Sequence, residues 1–486
     1  MRRVRRIRFG LLLCGFFMVL GCGGNGGGPS SGGTGQTPPV TTGVMGRSGG
    51  SVESAKGTRV TVSEGVLAKD TTFSIEESSE KLPLPSEFKP VSDTVRLTGS
   101  DFIEAITVRI PYSKSQVSNP KALVAASYDE SKGKWEMCTI ASKDTANGYV
   151  TLKTCHFSKF NILEFTGLSE CKTSFNPIQD IFPVFNTRDY FEYTEASNGA
   201  CFGISAFTKW YFKNKKATYG PLDQYFWRED GVGIGVATQN SIWNTWAGLI
   251  SLGSFLLTPA ETGYSLIAGL KLTGDPQILA LREAGTSLGW KHAILVYSWT
   301  DPYFLIFNPN YDPYKTFVGM EKLKFDGSNL YSEGSPFYET WDNMNFDGFW
   351  HVSGVLGNDT DFENIFNRYA GRDPDNYSAY TGTWSGTFRE TYGAYKGESG
   401  TLSVTITVPA NGIFAGAGTA SNSLFGSFSI AGDVNQKTFT GKFSKSGGAL
   451  NGVFKTTVID SNNLAGTYAY YYSGSPHGGS ITFRRR

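Results

Sequence analysis

Apolar and polar residues alternate one for one, in short runs, over two long stretches of this chain, and the stretch between them keeps a different rhythm. In residues 44–165 the runs are Arg59-Val60-Thr61-Val62, Thr72-Phe73-Ser74-Ile75, Val95-Arg96-Leu97, 106–112 and 123–128, separated by Gly, Pro and Ser clusters. A period of two puts successive side chains on opposite faces of a strand, so this stretch predicts an antiparallel β-sandwich. Residues 135–140 and 149–157 add two more runs around a polar Asp-Thr-Ala-Asn-Gly turn, which predicts a hairpin. Residues 376–486 alternate again, at 383–388, 402–408, 425–430, 439–443, 450–454, 464–470 and 480–483. About seven or eight short strands in a meander predict a small antiparallel barrel or sandwich.

The middle, residues 166–372, is denser in aromatic residues and mixes periods. After the turn residues Asn198-Gly199, the residues Ile204, Phe207 and Tyr211 recur at helical spacing, which starts a buried helix at Cys201. Residues 292–299 and 304–307 read as two apolar strands. The fold class expected is therefore multidomain: an all-β sandwich, an α+β domain, then a small antiparallel β-barrel or sandwich.

The N-terminus bears on location. Arg2, Arg3, Arg5, Arg6 and Arg8 precede an apolar run from Leu11 to Leu20 that is too short to span a bilayer comfortably. It ends in Val19-Leu20-Gly21-Cys22 and resembles the lipobox of bacterial lipoproteins. That resemblance implies a signal peptide over 1–21, a lipid on Cys22 and anchorage in the cell envelope. Gly23 rather than Asp after the cysteine points to the outer membrane. Residues 22–43 are mostly Gly, Ser, Thr and Pro and predict a flexible lipidated tether. The formal net charge of +1 leaves no electrostatic case for a nucleic-acid partner.

Four of the six cysteines lie in the body of the chain. In an oxidising compartment, Cys138 and Cys155 are expected to bond across the predicted hairpin. Cys171 and Cys201 are then either a second bridge or thiols. With four scattered histidines no zinc pattern exists, and Gly231-Val232-Gly233-Ile234-Gly235 lacks the lysine of a phosphate loop. No metal or cofactor is expected.

The chemistry centres on Cys201. A thiol at the first turn of a helix faces unpaired N–H groups and the positive end of the dipole, which favour a thiolate nucleophile. His292 heads one apolar strand, and Asn308 follows the next, sixteen residues on. Adjacent antiparallel strands would hold the amide beside the imidazole and orient it. The segment Cys201-Phe202-Gly203-Ile204-Ser205, the His292-Ala293 strand and Asn308-Pro309-Asn310 together resemble the papain-like cysteine peptidases over about 140 residues. The resemblance implies Cys201 as nucleophile, His292 as general acid and base, Asn308 as orienting residue, and a peptide or protein substrate. Asn310 and Asp312 compete for the third role. Where that family carries a Gln six residues before the nucleophile, this chain has Glu195, and an ionised carboxylate cannot donate to an oxyanion. Asn198 is the substitute candidate, with the backbone N–H of Cys201.

Two further resemblances concern the flanks. Gly49-Gly50, the run Ile106-Thr107-Val108-Arg109-Ile110-Pro111-Tyr112, Trp135 and His156-Phe157-Ser158 follow the order found in the β-sandwich of zonula-occludens and netrin-receptor proteins. His156 is read as structural there. The last stretch is similar, in outline only, to a lipocalin-like barrel.

Overall fold

Alternation becomes paired strands in both flanks. The computed structural model describes residues 40–99, 105–182, 200–226, 231, 233–242, 257–283, 290–309, 322–332, 346–352, 359–370, 377–409, 412–422, 424–435, 438–446, 450–472 and 475–486. In the first flank, one sheet runs in the order Val40–Met45, Thr71–Ser78, Thr94–Thr98, Lys159–Phe165, Leu123–Asp129, Lys134–Met137, with Phe88–Pro90 added beside Lys159–Phe165. The second runs Thr139–Asp144, Tyr149–Thr154, Ile106–Pro111, Arg59–Val62, Gly50–Glu53. Their inward residues, among them Val60, Phe73, Ile75, Val108, Ile110 and Ile162, close one apolar core. Residues 40–43, expected in the tether, are instead strand: Gly43 pairs with Phe73 and Val40 with Glu76.

The expected hairpin forms, without the expected bridge. Thr139 stands opposite Lys153 and Ile140 opposite Leu152, so position 138 falls opposite 154 and Cys155 is one residue out of step. Cys138 and Cys155 are thiols, not the halves of a disulfide.

The middle stretch builds one antiparallel sheet in the order Leu330–Ser332, Lys322–Phe325, Tyr303–Phe307, Trp290–Thr300, Gln277–Glu283, Phe346–Val352. Helix α1, Cys201–Asn214, lies on one face, where its Ile204, Phe207 and Tyr211 share a core with Ile278, Ala280, Ala293 and Leu295. Helix α2, Pro259–Thr273, covers the other face. Its boundaries follow from local chemistry: Thr258 and Glu261 form a reciprocal capping box, Pro259 opens the first turn, and Gly274 closes it in the left-handed region at φ 72°. The far side of α2 packs on Val124, Trp135, Met137 and Leu163 of the sandwich, so the first two regions share a core.

Helix α3, Asp359–Tyr369, leads to eight strands: Gly382–Tyr392, Ser399–Thr407, Ile413–Ala420, Ser427–Asn435, Thr438–Lys445, Asn451–Asp460, Asn463–Tyr472 and Ser475–Arg485. Each pairs with the next and the last pairs with the first, which makes a closed barrel. The strand Ile413–Ala420 was absent from the expected runs because its sequence, Ile-Phe-Ala-Gly-Ala-Gly-Thr-Ala, alternates small residues that carry little hydropathic contrast.

Candidate active site

Three elements meet around Cys201. The thiol sits on the first residue of α1, within reach of the backbone amides of Cys201, Phe202 and Ala293. One turn on, the Ser205 hydroxyl donates to the carbonyl of Ala293 at 3.3 Å. The first turn of α1 thus grips one residue of the 290–300 strand, Ala293, at both its amide and its carbonyl, which fixes Cys201 against the residue that follows His292. Ser205 was not singled out from the sequence, although its spacing of four from Cys201 puts both on one helix face.

His292 and Asn308 come together. The imidazole Nε2 donates to Asn308 Oδ1 at 2.7 Å, and both side chains are buried. Leu295 pairs with Phe307, so Asn308 leaves the end of its strand beside the head of its neighbour. A break in register lies just before His292, between Leu281 and Arg282 on the partner strand, and such bulges re-aim the adjacent side chain. With Nε2 held by the amide, the ring is fixed in one orientation.

Burial decides the resting charges. It pushes the Cys201 thiol up to about 11, against the smaller opposing pull of the amides of Ala293, Phe202 and Cys201 itself. It pulls the His292 imidazole down to about 3, partly offset by Asn308. The expected thiolate at the helix start is therefore corrected: desolvation outweighs the helix-end amides, and both groups rest neutral near pH 7.

A second helical segment, residues 233–242, crosses α1 at Gly203. A Cβ at Gly203 would lie 1.9 Å from the carbonyl oxygen of Gly235, so the crossing needs hydrogen at that position. Gln239 of this segment accepts from the Gly203 amide at 3.3 Å through Oε1, satisfying one of the donors that a helix start leaves open. Nothing in the sequence signalled Gln239, because the crossing that brings it here is a tertiary event.

The remaining candidates fall elsewhere. Cys171 pairs with Trp299, six residues along the strand from Ala293, so it lies roughly 20 Å from the Cys201 thiol at ~3.3 Å per residue. That separation excludes a bond between them. Asn198, Glu195, Asn310, Asp312 and Cys22 lie outside the described residues. Among the described residues, no group of three or more His, Cys, Asp or Glu side chains is placed to hold a metal ion. His351, unremarked in the sequence, forms a separate buried relay. Its Nε2 donates to Gln277 Oε1 at 3.0 Å and its Nδ1 accepts from Ser265 at 2.7 Å.

Neither a protein-family model nor a curated protein matches this chain. Among solved structures, a de novo designed fluorescence-activating β-barrel is 17% identical, covering 24% of this chain and all of the designed one, at a TM-score of 0.19. Transferrin binding protein B from serogroup B Neisseria meningitidis is 8% identical, covering 88% of this chain and 65% of that one, at a TM-score of 0.18. Scores this low bear on neither fold nor function. No helix among the described residues is long and apolar enough to cross a membrane.

Proposed function

We propose that this protein is a cysteine hydrolase acting on peptide or protein substrates, carried by a papain-like domain over 166–372 and tied to the outer membrane by a lipid on Cys22. The observation that carries the reading is the buried 2.7 Å contact between His292 and Asn308, with the Cys201 thiol set against the amide of the next residue, Ala293. In the proposed reaction His292 takes the Cys201 proton as sulfur attacks a carbonyl carbon, so no resting thiolate is required. The imidazolium, oriented by Asn308, returns the proton to the departing amine. Water, deprotonated by the same imidazole, then opens the thioester and restores the thiol. The first oxyanion donor is the backbone N–H of Cys201, and Asn198 is the proposed second. Acyl transfer to an amine would use the same steps with the amine in place of water.

The depth of the thiol, 8% exposed, favours a second reading: a non-catalytic lipoprotein that binds through a degenerate peptidase domain. Turnover of fluorogenic peptide mixtures by the mature protein separates the two. Cleavage abolished by Cys201→Ala, lowered by Asn308→Ala about 10²-fold or less, and partly kept by Asn308→Asp supports the hydrolase. An uncleaved mixture, together with a Cys201 that resists alkylation at pH 8, supports binding instead.

A further inference from the structure

The barrel holds a second site, independent of the thiol chemistry. Its interior contains a cavity of about 70 Å³ walled by aromatic and aliphatic carbon, including Trp384, Phe388, Phe414, Phe439, Phe454 and Ile481. The Tyr377–Tyr380 turn stands at one end, with the Trp384 indole donating to the carbonyl of Tyr380 at 3.2 Å and Tyr380 edge-on to Phe439. Past the other end of this apolar lining, the barrel interior turns polar. Glu390 lies two residues beyond Phe388 on the same strand, so both side chains point inward. Tyr468 joins the two parts: its ring lines the cavity and its hydroxyl donates to Glu390 Oε1 at 2.8 Å. Tyr470 donates to the same oxygen at 2.9 Å.

Two acceptors there are left over. Glu390 is 2% exposed, and its Oε2 has no hydrogen-bond partner among the described residues. His477 is equally buried, and its Nδ1 likewise has none. The backbone carbonyl of Tyr472 takes the proton of the other ring nitrogen, so Nδ1 offers a lone pair. Tyr470 and Tyr395 each lie with ring centres 5.1 Å from that imidazole. Burying a carboxyl oxygen and an imidazole nitrogen without donors costs stability that barrel closure does not require. The Gly478 amide also draws on the Glu390 carboxyl, yet Oε2 and the His477 Nδ1 still lack a donor within hydrogen-bond geometry. What its carboxylate and aromatic faces attract is a cation. Burial raises the Glu390 carboxyl, and a bound ammonium would supply the counter-charge it is missing.

We propose that the barrel binds a small apolar amine, its ammonium donating to Glu390 Oε2 and His477 Nδ1 and its hydrocarbon body filling the cavity beside Tyr468. The size of the cavity limits that body to a short branched chain. The test titrates the mature full-length protein with isobutylamine, isobutanol and isobutyrate, followed by ligand-observed NMR and tyrosine–tryptophan fluorescence. The amine should bind at least tenfold more tightly than the alcohol, and isobutyrate should bind weakest. Glu390→Gln, which keeps both tyrosine contacts, should erase the gap between amine and alcohol. Val404→Phe, which fills the cavity and leaves Glu390 in place, should remove binding of all three. The proposal fails if the amine binds no better than the alcohol, if none of the probes saturates, or if amine binding survives both substitutions.

Discussion

Two histidines show how far burial moves a single residue. His292 and His351 are each held down to about 3 by desolvation. Each is kept neutral by a fixed tautomer, one donating to Asn308, the other donating to Gln277 and accepting from Ser265. Lys209 also donates to Gln277 Oε1, at 3.3 Å, and burial lowers its amine to about 8. The sign of the pH effect follows. An unfolded histidine takes a proton below about 6.5, whereas these two refuse it until about pH 3. The stability that the two rings contribute is therefore complete above pH 6.5 and falls as pH drops toward 3, by ~1.4 kcal/mol per pH unit for each ring. His351→Gln, neutral throughout, should flatten the decline of the urea midpoint between pH 6.5 and 4.5 by one ring's share. An unchanged slope would mean that His351 is protonated in the folded protein.

Among the elements, the contact between α1 and the 233–242 segment is the tightest constraint on the candidate site. Gly203 and Gly235 face each other with no room for a Cβ, and Gln239 reaches the α1 start only because the two backbones approach so closely. Gly203→Ala would place a methyl 1.9 Å from a carbonyl oxygen and 2.7 Å from the Gln239 nitrogen. Since neither atom belongs to a flexible side-chain tip, the helices must separate. The expected loss is at least ~1–3 kcal/mol, read as a lowered melting temperature in calorimetry, with Cys201 displaced from Ala293. Gly235→Ala, which would meet Cγ1 of the Ile204 side chain rather than backbone at 2.8 Å, should cost less. Equal losses in the two variants would contradict this account of the crossing.

At the scale of the molecule, α2 binds the sandwich to the middle sheet by apolar burial and by two ion pairs, Lys271–Glu87 at 3.1 Å and a more deeply buried one. Lys143 on the sandwich meets Glu261 of α2 at 3.2 Å, with side-chain exposures of 4% and 15%. Burial pulls the Lys143 amine down while Glu261 holds it up, the mark of a charge kept by its partner. Lys143→Met should cost ~1–3 kcal/mol, because it leaves the partly buried Glu261 carboxylate held only by the Thr258 cap, and adding Glu261→Gln should recover part of that loss. Thermal unfolding of the single and double variants measures both. On the other side Lys455 of the barrel pairs with Asp361 of α3 at 3.0 Å, and Arg368 donates to the carbonyl of Val434 at 3.0 Å. The regions are thus buttressed against one another, and Pro38–Arg486 forms one compact unit.

Local pattern was enough for whatever depends on neighbours in the chain. Alternation at 59–62, 106–112 and 402–408 announced strands; the spacing of Ile204, Phe207 and Tyr211 announced α1; and two adjacent apolar strands, one headed by His292 and the next followed by Asn308, put Asn308 forward as the neighbour of His292, with Asn310 and Asp312 in competition. Those inferences succeed because period, turn chemistry and strand pairing act over a few residues. What only the tertiary structure decided were the quantities set by everything around a residue. Register left Cys138 and Cys155 one residue out of step; helix crossing brought Gln239 to Gly203; and strand closure turned a meander into a barrel with Glu390 sealed inside. The charge of Cys201 belongs with these. A helix start favours a thiolate through a few nearby amides, whereas desolvation adds contributions from every apolar neighbour, and no stretch of sequence lists those neighbours in advance.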